Sequence, residues 1–188
     1  MPKKIEKIYI SPDKFYSDSL RLGKKIIDAG VRPDLLIGLW RGGTQPGIII
    51  SEMLFKAGIA HEHMPLKASS YKGVKKHDKL KIQGLTDFRK MISSRRIKSV
   101  LIIDDIFDTG ITMRGLVRKI KGVKKRLKIF TAAVYFNPKN NKTDMEPDFY
   151  VRKVYSWVNF PHELSISKAE IKKHKPRMYR IIKDMLEN

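Results

Sequence analysis

Apolar and polar positions divide the chain into strand-length apolar runs separated by helical patterns. Residues 34–40 (DLLIGLW), 99–103 (SVLII) and 128–136 (KIFTAAVYF) are almost wholly apolar. This is the pattern of strands covered on both faces. Residues 15–29 carry Tyr16, Leu20, Gly23 and Ile27 on one helical face behind Ser11-Pro12-Asp13, a good helix start. Ile50, Met53, Leu54 and Ala57 lie at helical spacing, and Met113, Leu116, Val117 and Ile120 step i, i+3, i+4, i+7. Strand, short polar loop, helix and strand is the βαβ rhythm, so the expected class is α/β, a parallel twisted sheet flanked by helices.

In such sheets ligands sit beyond the carboxyl ends of the strands. Two glycine-bearing segments fall at that edge: Arg41-Gly42-Gly43-Thr44 after the first apolar run, and Asp104 to Thr112 after the second. Segment 138–147 (PKNNKTDMEP) reads as a surface loop. From Ser165 onward the chain is basic and helix-like, with Pro176 dividing it. Met178, Ile181, Ile182 and Met185 form an apolar stripe there, expected to pack in the core or against another subunit.

At 188 residues the chain is expected to be one domain. No apolar run is long enough to span a membrane. The beginning, MPKKIEKIYI, has no apolar stretch of the signal-peptide kind. Cysteine is absent, which excludes disulfides and thiolate-held zinc or iron–sulfur groups. The expected location is the cytoplasm. The formal charge is +21, with the basic residues spread along the chain. Such a field favours polyanions, from nucleic acid to phosphorylated small molecules.

Segment 104–112 (DDIFDTGIT) carries the sharpest chemistry. Backbone N–H groups at a helix start, with Thr109 and Thr112 beside them, make an anion pocket, and Gly110 lets the backbone approach closely. Three acids would repel a bare phosphate. The set makes sense if Asp104 and Asp105 meet sugar hydroxyls or a divalent cation while the loop holds the phosphate. The implied ligand is a phosphorylated sugar with Mg²⁺.

VLIIDDIFDTGIT resembles the motif that binds 5-phosphoribosyl 1-pyrophosphate (PRPP) in type I phosphoribosyltransferases. The resemblance covers about residues 10–163 and implies that family's fold, with a small hood element. It assigns Asp104, Asp105, Thr109, Gly110, Ile111 and Thr112 to PRPP and Asp108 to catalysis. Arg41, Gly42 and Gly43 resemble the pyrophosphate loop, whose Arg–Gly bond is often cis in relatives. Ser69, Ser70 and Tyr71, before a lysine-rich stretch with Lys72, Lys75 and Lys76, resemble the mobile catalytic loop.

Trp157-Val-Asn-Phe-Pro-His-Glu163 is similar to the base-binding end of bacterial xanthine-guanine phosphoribosyltransferases. It implies Trp157 stacked on a purine, the Val158 backbone reading the purine edge, and Glu163 joining Asp104 and Asp105 at magnesium. His162 stands where an aromatic is common. Relatives carry a lysine that reads a 6-oxo group, and Asn137 occupies that place here. An amide can donate and accept, so adenine stays open beside guanine, xanthine and hypoxanthine, and Lys139 is a second donor nearby. The resemblance therefore implies transfer to a 6-oxopurine in purine salvage, with Mg²⁺, by a homodimer or homotetramer. The alternatives are an adenine or pyrimidine acceptor, or a PRPP-sensing regulator that binds nucleic acid. The expected division is 1–163 as the catalytic domain with its hood and 164–188 as a basic helical extension.

Overall fold

The computed structural model describes residues 6–72, 78–83 and 85–186, and the side chains of these except 69–72, 78–81 and 85. They group into two compact units, one of residues 16–155, the other of the two chain ends up to 15 and from 156.

The larger unit is built on a six-stranded sheet in the order β4-β3-β2-β5-β6-β7. Its members are β2 (Leu35–Trp40), β3 (Glu62–Lys72), β4 (Asp78–Ile82), β5 (Ser99–Phe107), β6 (Lys128–Phe136) and β7 (Phe149–Lys153). The pairs β2–β3, β2–β5, β5–β6 and β6–β7 are parallel, and β4 runs antiparallel to β3 at the edge. Helices α1 (Pro12–Asp28), α2 (Thr44–Lys56), α3 (Leu85–Ser93) and α4 (Ile111–Val123) complete the larger unit, with the start of α1 in the smaller one. Side chains alternate across a strand. Leu35, Ile37 and Leu39 of β2 therefore join Phe88, Ile92, Leu116 and Ile120 of α3 and α4 in one core. Leu36 and Gly38, on the other face, lie against Gly47 of α2. Both faces are covered, which is why these strands read as continuous apolar runs.

Three expectations change. The buried face of α1 is Phe15, Asp18, Ser19, Leu22, Gly23 and Ile26, and Tyr16 is 56% exposed. The shift arises because a carboxylate sits in this face. Asp18 is fully buried and accepts hydrogen bonds from Tyr135 Oη (2.9 Å), Arg21 Nη1 (2.7 Å) and Arg152 Nη2 (2.9 Å). At Gly23 a Cβ would come within 2.5 Å of Met53 Sδ, so the helices α1 and α2 need glycine there. Strand β5 continues four residues past Ile103, taking Asp104 and Asp105 into the sheet. The third concerns the tail: Ile181 and Met185 of its stripe are exposed, so of the two expected places, core or subunit contact, the core does not hold them.

The smaller unit pairs β1 (Lys7–Tyr9) with β8 (Trp157–Asn159) in parallel, with Lys7 opposite Trp157 and Tyr9 opposite Asn159. Its helices are α5 (Lys168–His174) and α6 (Pro176–Ile182), followed by a 3-10 turn, Lys183–Leu186. Ser167 and Glu170 form a capping box at the start of α5, which satisfies two orphan N–H groups. Glu170 also accepts from Lys7 Nζ (2.6 Å) and Tyr9 Oη (2.5 Å). These contacts hold its carboxyl well below the usual range and push the Tyr9 phenol up to about 12. The Tyr9 ring stacks on His174 at 3.7 Å, and Ile171 is fully buried. Segment 164–186 thus shares a unit, and its contacts, with β1 and β8.

Candidate functional site

Strands β2 and β5 are neighbours in the sheet and run the same way. Their carboxyl ends therefore deliver Arg41-Gly42-Gly43 and the segment 104–112 to one edge. The contact between the two is backbone-close. A Cβ on Gly43 would overlap the Ile103 carbonyl oxygen and lie 2.8 Å from Asp104 Cα, and one on Gly42 would overlap the Asp105 carboxylate. A Cβ at Gly43 would therefore have to displace backbone, and one at Gly42 the Asp105 side chain. The non-proline cis peptide of the turn is Trp40–Arg41, one bond before the Arg41–Gly42 bond expected from the family resemblance.

Asp105 N–H donates to Asp104 Oδ1 (3.0 Å), and Ile106 N–H to Asp105 Oδ1 (2.8 Å). Burial, reinforced by the adjacent Asp105 charge, pushes the Asp104 carboxyl well above the usual carboxylate range. Two acids so placed are relieved by a cation or by donors from sugar hydroxyls. Asp104, Ile106, Phe107, Asp108, Thr109, Gly110, Thr112 and Met113 enclose a cavity of about 120 Å³.

Helix α4 opens on Gly110, in the left-handed region at φ 73°, with no side chain capping it. A Cβ there would also lie 2.5 Å from Thr143 Oγ1 and 2.7 Å from the Phe107 ring. Glycine is thus required by conformation and by space. The first-turn N–H groups of α4, including that of Ile111, are left for an anion.

Asp108 accepts a hydrogen bond from Asn140 Nδ2 at 3.0 Å. Asn140 N–H in turn donates to Asn137 Oδ1 (3.3 Å), and Lys142 N–H to the Thr109 carbonyl (3.0 Å). Loop 137–145 therefore clasps the 108–110 turn. Asn137 is buried, and its own N–H donates to the Phe107 carbonyl (2.9 Å). Lys139 is exposed. Asn140 and Thr143 escaped the sequence reading because an Asn-rich loop carries no periodicity. The only signal was Asn137 at a position of expected function.

Ser69, Ser70 and Tyr71 lie in the β3 backbone opposite Lys81, Leu80 and Lys79 of β4. Their side chains, and the whole of Lys75 and Lys76, lie outside the described residues, while the Lys72 backbone pairs with Asp78. The larger unit also holds a roomier apolar cleft of about 300 Å³ between α2, β2 and β3. It contains neither acid of β5, so the chemistry favours the smaller cavity.

Trp157, Val158 and Glu163 belong to the smaller unit. Trp157 is 53% exposed, Val158 is buried, and Trp157 N–H donates to the Glu6 carbonyl (3.1 Å). The Glu163 carboxylate is turned into its own loop, accepting from Phe160 N–H (3.0 Å) and Asn159 Nδ2 (3.2 Å). His162 stacks on Phe160 at 5.6 Å. Among the described residues no group of three or more His, Asp or Glu is arranged to hold a metal ion.

Residues 11–168 match the phosphoribosyl transferase domain. Among solved structures, the purine phosphoribosyltransferase from Pyrococcus horikoshii is 25% identical, with a TM-score of 0.63 over 84% of this chain and 94% of that one. The xanthine-guanine-hypoxanthine phosphoribosyltransferase of Helicobacter pylori is 21% identical, with a TM-score of 0.69 over 90% and 100%. The hypoxanthine phosphoribosyltransferase of Trypanosoma cruzi is 17% identical, with a TM-score of 0.59 over 82% and 80%.

Proposed function

Because the chain belongs to the phosphoribosyl transferase domain family, an enzyme family of the glycosyltransferase type, we propose that it transfers the 5-phosphoribosyl group of PRPP to a 6-oxopurine. Guanine, xanthine and hypoxanthine are the acceptors, pyrophosphate is released, and the reaction serves purine salvage. The observation that carries the reading is the β5–α4 junction: paired acids, then Asp108, then an uncapped helix start on a left-handed glycine.

In this reading a purine nitrogen forms the bond to C1 of the ribose as the C1–oxygen bond to pyrophosphate breaks. The electron pair leaves with pyrophosphate, and positive charge develops on the sugar, as in glycoside cleavage. The N–H groups of the α4 start, with Thr109 and Thr112, hold the 5′-phosphate, and Asp104 and Asp105 fix the ribose hydroxyls. Arg41 and the backbone of Gly42 and Gly43 receive the pyrophosphate, where preorganised donors stabilise the growing charge. Asp108, oriented by Asn140, takes the purine proton at N7. Trp157 stacks on the base, the Val158 backbone reads its edge, and the Asn137 amide donates to the 6-oxo group.

The adjacent carboxyls of Asp104 and Asp105, where burial and the neighbouring charge make ionisation of Asp104 unfavourable, suit a divalent cation, whose charge would favour the ionised pair. Mg²⁺ held there would supply charge neutralisation for the pyrophosphate. Within the same reading the enzyme works in the cytoplasm as a homo-oligomer. None of the described helices is long and apolar enough to cross a membrane.

The test is a substrate panel. PRPP and Mg²⁺ are offered with guanine, xanthine, hypoxanthine, adenine, uracil and orotate, and pyrophosphate release is followed. Turnover confined to 6-oxopurines is expected. Turnover of adenine alone refutes the base assignment. No turnover, with nucleic-acid binding that responds to PRPP, replaces the enzyme reading with that of a regulator.

A further inference from the structure

Lys175 stands at the junction of α5 and α6, where the backbone leaves the helix (φ −133°, ψ 53°). It is only 9% exposed, and lysine is almost never so buried without partners. Its partners are carbonyls. Nζ donates to Glu163 O (2.5 Å), Phe160 O (2.6 Å) and Pro161 O (3.4 Å). An ammonium has three N–H donors and no acceptor, so its whole capacity goes to one short turn, 160–163, directly after β8. The Glu163 carboxylate grips the same turn from within, through the N–H of Phe160. Both the N–H and the C=O of Phe160 are therefore fixed.

The delivery of this ammonium is also built. The Ser167–Glu170 box starts α5, Glu170 ties it to Lys7 and Tyr9 of β1, and Ile171 is buried beneath it. Lys175 N–H closes the last turn on the Ile171 carbonyl (2.8 Å), and Pro176 then opens α6. A methionine of similar length would fill the space and take the ammonium donor from all three carbonyls, leaving the Phe160 carbonyl the Glu163 N–H (3.1 Å).

We infer that Lys175 is a positioning residue of the base subsite: it fixes turn 160–163, and with it the Val158 backbone and the Glu163 carboxylate, before a purine arrives. This rests on the reading of Trp157 and Val158 as base-binding. It gives the C-terminal segment a task in specificity. A turn that is ordered in advance spares the base the ordering cost on binding. PRPP, assigned to residues of the other unit, does not draw on it.

The test uses the full-length enzyme with Lys175→Met, Lys175→Arg and wild type. Lys175→Met is expected to raise the purine KM at least about tenfold, with the PRPP KM within about twofold, because preorganisation is lost only for the base. Amide hydrogen exchange is expected to quicken at residues 160–163 while β5 and β6 keep their protection. Lys175→Arg, still a donor, is expected to recover most of the purine KM. Equal rises in both KM values, an unchanged purine KM, or unchanged exchange at 160–163 overturns the inference. If Lys175→Met does not fold, Lys175→Gln, which keeps two donors, is read by the same measurements. If the wild type converts no purine, the functional reading fails first, and exchange at 160–163 alone decides whether Lys175 fixes the turn.

Discussion

The Asp105 carboxylate lies directly against the Cα of Gly42, so closely that a Cβ at Gly42 would overlap both of its oxygens. The turn after β2 and the acid pair of β5 are thus one packed object. Gly42→Ala must displace a carboxylate, whereas Gly43→Ala must displace backbone, since its neighbours are the Ile103 carbonyl and Asp104 Cα. Gly42→Ala is expected to keep the fold and to raise the PRPP KM by about tenfold. Gly43→Ala is expected to cost about 1–3 kcal/mol of stability, the usual range for overpacking. Thermal melts and steady-state kinetics on both variants separate the effects, and a Gly42→Ala enzyme with unchanged PRPP KM removes Asp105 from the PRPP contacts.

Among the described residues, Asp108 takes its side-chain hydrogen bond from the 137–145 loop, through Asn140. Asp108→Asn is expected to lower kcat by about 10²-fold or more, the size of a general acid–base contribution. PRPP binding should stay within a few-fold. Asn140→Ala leaves the carboxylate present but unaligned, and is expected to lower kcat by about tenfold, within the range of a lost orienting hydrogen bond. Single-turnover rates check both. An Asn140→Ala enzyme as fast as wild type would show that Asp108 needs no support from this loop.

Stability below neutral pH is expected to depend on Asp18. Burial alone would raise its pKa, but hydrogen bonds from Tyr135, Arg21 and Arg152, with the Arg152 charge, outweigh it and hold the carboxyl below its ordinary value. A carboxyl depressed in the folded state contributes stability that is present above its unfolded pKa of about 3.9 and is lost as pH falls through the lower folded value. Urea melts of wild type and Asp18→Asn should therefore differ most above about pH 4 and converge below it. At neutral pH the difference is expected to be about 3 kcal/mol, as for a buried charge pair broken on one side. A difference that stays constant down to pH 2 rejects the assignment.

The parallel sheet was legible because β2, β5 and β6 are buried on both faces and so are apolar without interruption. The strands β3, β4 and β7 lie at or toward the edges, where polar residues intervene, and no apolar run marks them. Helix α1 was found but rotated, because an apolar count cannot see that Asp18 is buried and satisfied by Tyr135 and two arginines. The acids of β5 were legible as chemistry, yet their place inside the strand was not, since a carboxylate normally ends an apolar run. Lys175 was invisible for the same reason as Asp18. A charged residue buried against carbonyls looks, in sequence, like any solvated lysine of a basic tail.

The base preference is expected to divide between two side chains with separable effects. Trp157→Ala removes a stacking surface and is expected to cost about 1–3 kcal/mol in purine binding, the range for base–aromatic stacking. It should leave the PRPP KM unchanged. Asn137 is harder to isolate, because its Oδ1 already accepts from Asn140 N–H, and Asn140 in turn holds Asp108. Asn137→Ala would break that chain and lower kcat whether or not the amide touches the base. Asn137→Asp keeps the acceptor for Asn140 and replaces the Nδ2 donor with a second carboxyl oxygen, a change to be read across a pH series so that the added charge is separated from the lost donor. If that donor reads the 6-oxo group, the KM for hypoxanthine and guanine rises about tenfold, the worth of roughly one hydrogen bond, while kcat falls far less than in Asn137→Ala. If Asn137→Asp instead leaves the purine KM untouched and Asn137→Ala lowers kcat as Asn140→Ala does, Asn137 serves the loop alone, and the 6-oxo group must be read by another donor.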